Sequence, residues 1–161
     1  LKKKDHLFIW PAAAVFLLDQ ISKLVILGFF EQHASFRVVP GFFNIVLVRN
    51  RGMAFGIMNR QQGHFGSYFL ILTTIAAIVI LIYWARRQGK ERGKILFGLG
   101  LILGGASGNL VDRIRLGSVI DFLDFYLGRY HWPAFNLADS AITIGAIWVA
   151  IQLLRSGTHQ G

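Results

Sequence analysis

The sequence predicts an all-α membrane protein with a small β element: four transmembrane helices and a short β-rich region outside the membrane between the first two. Three observations predict it. The 161 residues are 54% hydrophobic and only 16% charged, against about 25% charged in an ordinary soluble domain. Four stretches are apolar over about the 20 residues that a helix needs to cross a bilayer. The seventeen Lys and Arg cluster between those stretches instead of spreading evenly. Fourteen Phe and four Trp exclude a disordered chain. The absence of cysteine excludes disulfides, thiolate metal sites and cysteine nucleophiles.

The spans run at about 7–30, 68–84, 95–113 and 137–154, within one domain covering 1–161. The first is read as a retained helix and not a cleaved leader. Lys2, Lys3 and Lys4 precede an apolar run, but the run contains Asp19 and Lys23 and no small-x-small cleavage site follows. The second span is the most uniformly apolar, with Thr73 and Thr74 as its polar members. Lys2–Lys4, then Arg86, Arg87, Lys90, Arg92 and Lys94, then Arg155 all fall on one side of an even number of spans. The positive-inside rule makes that side cytoplasmic, with both termini there. The formal charge of +9 is thus a topology signal. Nucleic-acid binding is not expected, because no aromatic-basic platform accompanies the charge.

The two outer loops cover about 31–66 and 114–135. In the first, Phe36 to Val48 is rich in Val, Ile and Phe around a Pro40-Gly41 turn, which predicts short strands. Asn50-Arg51-Gly52 interrupts the pattern, and Met53 to Met58 is apolar again, so Phe36–Met58 is a candidate cover for a site at the outer interface. The second loop holds Asp121, Asp124, several aromatics and Pro133 and is read as a loop.

Ionisable groups within spans are costly and usually functional. Asp19 and Lys23 are four residues apart, on one helix face, and the plainer reading of them is a structural ion pair. Ser22 does not face Lys23, since neighbouring helical residues point about 100° apart, so a Ser–Lys nucleophile is not favoured. Asn109 and Arg113 share another face, and Asp112 is expected to point away from it toward a loop arginine. Asn136 is a helix N-cap, and Asp139, three residues on, holds the capping-box position. That position also places a carboxylate in the positive field of a helix N-terminus. Asp121 is hemmed by Val119, Ile120 and Phe122.

Asp121 and Asp139 lie on the same side of the membrane, and one loop joins the segments that carry them. They can meet. Two carboxyls meeting at an apolar interface share one proton, which lets one draw a proton from water and the other donate to a carbonyl. Two unrelated surface or capping carboxylates are the plainer alternative. If they meet, Asp139 is expected to be the more acidic and Asp121 to hold the proton. His6, His33, His64, His131 and His159 show no metal-ligand spacing, and no metal or cofactor is expected. A proton-coupled transporter or channel subunit using Asp19, Lys23 and the polar face of the third span is the second reading. A non-enzymatic scaffold is the third.

Five blocks carry a resemblance. They are Asp19-Gln20-Ile21-Ser22-Lys23, Asn50-Arg51-Gly52-Met53-Ala54-Phe55, Gly104 through Arg113, Val119-Ile120-Asp121-Phe122, and Phe135-Asn136-Leu137-Ala138-Asp139-Ser140. In this order, over nearly the whole chain, they resemble the lipoprotein signal peptidases (signal peptidase II) of bacterial cytoplasmic membranes. Met53 and Ser107 depart from the family pattern. The resemblance implies an aspartyl intramembrane endopeptidase that removes signal peptides from prolipoproteins. Cleavage falls before a cysteine already carrying a diacylglyceryl group. It also implies that Asp121 and Asp139 are the catalytic dyad, with Asn50, Asn109, Arg113 and Asn136 binding substrate or supporting the dyad. Asp19, Lys23, Gly52, Gly105, Gly108 and Ala138 match as structural or positioning residues. The implied partners are the lipidated substrate, membrane phospholipid and cyclic peptide inhibitors of the globomycin type. The chain is expected to act as a monomer in the inner membrane, with its site near the outer face.

Overall fold

The computed structural model describes residues 5–31, 34–52, 65–88 and 93–157. Four long helices are present: α1 (His6–Phe29), α2 (Phe65–Arg87), α3 (Gly93–Leu116) and α4 (Leu137–Gly157). Each is long and apolar enough to cross a membrane, at the positions the hydropathy pattern predicts. Observed ends overrun the predicted ones by up to three residues in α2, α3 and α4; at the C-terminal ends of α2 and α4 the added residues include Arg86, Arg87 and Arg155, which continue the helix while their charges leave the lipid. Lys2–Lys4, Lys90, Arg92 and the candidate cover residues Met53–Met58 lie outside the described residues.

The helix at the centre is α3, which packs against α1, α2 and α4. Small residues make this approach close. A Cβ on Gly104 would strike the Ala12 carbonyl of α1, and one on Gly105 the Ala138 carbonyl of α4. At its N-terminal end α3 contributes Ile95, Leu96 and Leu99 to a core completed by Ala85 of α2 and Val149 of α4.

The sheet corrects one expectation. Strands β1 (Ser35–Val39) and β2 (Phe43–Asn50) form the hairpin expected around Pro40-Gly41. The second outer loop, however, is largely strand: β3 (Val119–Leu127) and β4 (Tyr130–His131) complete an antiparallel sheet in the order β1-β2-β3-β4. The signal was local and legible. Val119-Ile120-Asp121-Phe122-Leu123-Asp124-Phe125-Tyr126-Leu127 is β-branched and aromatic between Gly117 and Gly128, as a strand should be, whereas the expected strands were confined to the first outer loop.

Two features deliver β3 to the helix ends. Gly117 takes φ +66°, and its N–H donates to the Arg113 carbonyl at 3.1 Å, a left-handed C-terminal stop that lets the chain reverse out of α3. Beyond the strand, Leu123 and Phe135 exchange backbone hydrogen bonds of 2.8 and 3.1 Å, so the segment just before α4 is tied to β3. A second core of Ile26, Leu47, Ile120 and Phe122 fastens the sheet to the end of α1.

Candidate active site

The backbone tie between Leu123 and Phe135 sets the site. Asp121 stands two residues before one tied position and Asn136 one residue after the other, so both arrive at the same place. The Asn136 amide donates to Asp121 Oδ1 at 2.7 Å. Asn50, near the end of β2, donates to Asp121 Oδ2 at 2.9 Å. That contact follows from register: Asn50 pairs with Val119 and Val48 with Asp121, which makes Asn50 and Asp121 diagonal neighbours on one sheet face. Gly52, at φ +87°, turns its N–H back onto Asn50 Oδ1 at 2.9 Å, which fixes the Asn50 amide so that its NH2 faces Asp121.

Asp139 is held from the helices. Asn136 caps α4 as its sequence position predicts, its Oδ1 accepting the Asp139 N–H at 2.9 Å. The Asp139 carboxylate does not close the capping box but accepts from Asn109 Nδ2 at 2.8 Å. Asn136 Nδ2 also reaches Asn109 Oδ1, at 3.2 Å. One continuous path of side-chain hydrogen bonds therefore runs Asp121–Asn136–Asn109–Asp139, and the two carboxyls sit at its ends. The Arg113 guanidinium interacts electrostatically with both, most strongly with Asp139.

The two acids differ in surroundings. Asp121 is 1% exposed, whereas Asp139 is half-buried. Burial pushes the Asp121 carboxyl up to about 6, and the nearby Asp139 charge adds to the rise, against the donors from Asn50 and Asn136. A carboxyl in that position holds a proton well above the ordinary carboxylate range.

Beneath this pair lies a charged cluster. Lys23 is 2% exposed and contacts Asp19 Oδ2 and Asp112 Oδ2, both at 2.8 Å. It also donates to Asn109 Oδ1 at 3.0 Å. Asp19 Oδ1 accepts the Ala138 N–H at 3.0 Å, and a Cβ on Gly108 would collide with Asp19. Gly105, Gly108 and Ala138 are thus contact positions that let α1, α3 and α4 close around Lys23. Asp112 does not turn toward a loop arginine as expected: it pairs with Lys23 and accepts the Ile120 N–H at 3.2 Å. Asn109 and Asp112 are three residues apart on α3, a spacing that does share a face. Gln20, not singled out from the sequence, donates to Asp112 Oδ1 at 3.2 Å and to the Gly108 carbonyl at 3.3 Å. Ser22 donates to the Asp19 carbonyl at 2.8 Å, away from any nucleophile role.

All six site residues, Asn50, Asn109, Arg113, Asp121, Asn136 and Asp139, are thus brought together. Among the described residues no three His, Asp or Glu are grouped as a metal would require. Chemically, the arrangement offers a proton-retaining carboxyl and a second carboxyl linked to it through two asparagine amides, with one guanidinium acting on both.

Comparison with known proteins identifies relatives over most of the chain. A family model described as "Signal peptidase (SPase) II" matches residues 11–155. A "Lipoprotein signal peptidase" of Syntrophus aciditrophicus is 46% identical over 156 residues, covering 96% of each chain. One of Burkholderia vietnamiensis is 49% identical, covering 88% of this chain and 83% of its own. Two solved structures, each described as a bacterial membrane enzyme determined by the in meso method, superpose with TM-scores of 0.81 and 0.80 at 33% and 35% identity. They cover 94% and 90% of this chain and 90% of each of their own. A family model over residues 11–155 and relatives 46% and 49% identical over most of the chain place this protein in the signal peptidase II family, the lipoprotein signal peptidases.

Proposed function

We propose that Asp121 and Asp139 are the catalytic dyad of this peptidase, and that it cuts a diacylglyceryl-modified prolipoprotein just before the lipidated cysteine. The observation that carries the reading is the asymmetry of the pair: one carboxyl buried and proton-retaining, the other half-open and facing a guanidinium, linked by two asparagine amides.

In this reading a water lies between the carboxyls. Asp139, ionised, takes a proton from the water as its oxygen attacks the scissile carbonyl. Asp121 gives its proton to the carbonyl oxygen, forming a neutral tetrahedral diol. Collapse of the diol passes a proton from Asp139 to the departing amine, breaks the C–N bond and returns a proton to Asp121. Asn50 and Asn136 hold Asp121 in place, Asn109 holds Asp139, and Arg113 stabilises the ionised member.

The same geometry supports a reading of substrate and location. Asp19, Asp112, Asp121 and Asp139 gather at one end of the bundle, whereas Arg86, Arg87, Lys94 and Arg155 mark the other. By the positive-inside rule the basic end is cytoplasmic, with both termini, and the dyad faces the outer surface of the inner membrane. A site at that depth suits a substrate whose signal peptide spans the bilayer and whose lipid anchors the cut site at the interface. The chain is proposed to work as a monomer, among phospholipids, and to take globomycin-type cyclic peptides in place of substrate. A transporter relay would need its acids spread through the membrane depth, and their convergence favours interfacial hydrolysis.

The test is cleavage of a purified, diacylglyceryl-modified prolipoprotein by wild type, Asp121→Asn and Asp139→Asn. General acid–base residues contribute about 10²–10⁴-fold, so each variant should lose at least about a hundredfold while keeping its unfolding temperature. Retained cleavage in either variant sinks the dyad.

A further inference from the structure

At the end of the bundle opposite the dyad, a groove of about 630 Å³ opens between the start of α1, the start of α3 and the end of α4. Lys94, Gln152 and Ser156 line it together with Leu7, Phe97 and Trp148. Two of its polar groups are already engaged: Ser156 Oγ donates to the Gln152 carbonyl at 2.8 Å, and Trp148 Nε1 donates to the Lys94 carbonyl at 2.8 Å. The Gln152 side-chain amide is different. It belongs to a residue only 9% exposed, and among the described residues no hydrogen bond reaches it. No fully buried side-chain nitrogen or oxygen among the described residues lacks a partner, so the free Gln152 amide is the part of this residue that opens into the groove, where a ligand can meet it. Lys94, exposed beside it, forms no ion pair with any described residue.

We propose that this groove binds the headgroup phosphate of an acidic phospholipid. Lys94 supplies the charge and the Gln152 NH2 a directed donor, a pairing that suits a phosphate oxygen. The positive end of α3 points the same way. Arg86 and Arg87 end α2 and Arg155 lies in the last turn of α4, while Asp5 is the described acid at this end. The local field therefore favours an anion. The rest of the wall favours a lipid over a free ion: Leu7 and Phe97 are 46% and 38% exposed, an apolar track down the helices for an acyl chain. Trp148 of α4 lies level with the start of α3, its Nε1 meeting the Lys94 carbonyl, and aromatic rings of this kind favour the membrane interface.

Native mass spectrometry of the full chain in detergent, titrated with phosphatidylglycerol, phosphatidylcholine or inorganic phosphate, tests this. Phosphatidylglycerol should be retained in preference to phosphatidylcholine, and inorganic phosphate should not compete at equal concentration. Lys94→Gln should weaken phosphatidylglycerol about fivefold, the effect of one basic residue at an anionic surface. Gln152→Leu should weaken it as well, and Arg129→Gln, which removes the same charge from the outer sheet, should leave it unchanged. Lys94 is exposed, so its variant remains decisive if Gln152→Leu fails to fold. Equal retention of the two lipids, equal competition by phosphate, or an equal loss in Lys94→Gln and Arg129→Gln would each overturn the proposal.

Discussion

Helices α2 and α3 both qualify as membrane spans, yet they do opposite work. Of the apolar window that defines each, 6% is buried within the protein in α2 and 56% in α3. The more uniformly apolar helix is the one that faces lipid. Its polar side chains, Thr73 and Thr74, satisfy themselves on the Phe69 and Leu70 carbonyls one turn back. The less apolar helix lies at the centre, because only a span surrounded by protein can carry Asn109, Asp112 and Arg113 with partners to meet them. In a membrane, polarity within a span marks the interior of the protein, the reverse of the soluble rule.

Substitutions along the two helices sharpen or break that contrast. The largest effect is expected from Lys23→Met, which leaves Asp19 and Asp112 without their shared cation against α3. Removing one partner of a buried ion pair costs about 3–5 kcal/mol, read as a lowered denaturation midpoint in detergent. A loss no larger than that of an exposed α2 variant would mean the cluster is not a structural keystone. Next comes Gly105→Val, whose added methyls meet the Ala138 carbonyl and Ile142 side chain of α4; overpacking of this kind costs about 1–3 kcal/mol. The matched change on α2, Ile80→Val at a side chain 67% exposed, should stay within about 0.5 kcal/mol. Equal costs at the two positions would refute the assignment of α3 as the central helix.

The smallest effect is a shift in pH dependence. Asn50 donates to Asp121 and so favours its ionised form. Asn50→Ala removes that donor, which raises the Asp121 carboxyl further above its ordinary range. If Asp121 must hold a proton, activity falls as pH rises through its upper limit, and the alkaline limb of kcat/KM should move to higher pH. A shift to lower pH would reverse the assigned proton positions. An unmoved limb would detach Asp121 from it.

Much of the site was legible because it is written in local spacing. Asn136 and Asp139 are three residues apart at a helix start, and the cap forms as that spacing requires. Asp19 and Lys23 are four apart and pair. What was misread depended on partners distant in sequence. Asp112 looked as if it faced away because only its own helix was considered, whereas Lys23, on α1, is its partner. The strand at Val119–Leu127 was not expected because the strand it pairs with, β2, lies in the other loop. In the fold Asp121 has Asn50 and Asn136, and Asp124 accepts from Asn44 at 2.9 Å.

By itself the sequence determined the four spans, their common basic end and the candidate pair, since hydropathy, charge and helical spacing act over a few residues and need no partner. Tertiary structure decided which span is central, which loop completes the sheet, and how Asp121 and Asp139 come to differ. The physical reason is that burial and hydrogen bonding belong to the assembled neighbourhood. The proton-holding character of Asp121 is produced by β2, β3 and the start of α4 closing around it, and no stretch of the chain carries that information alone.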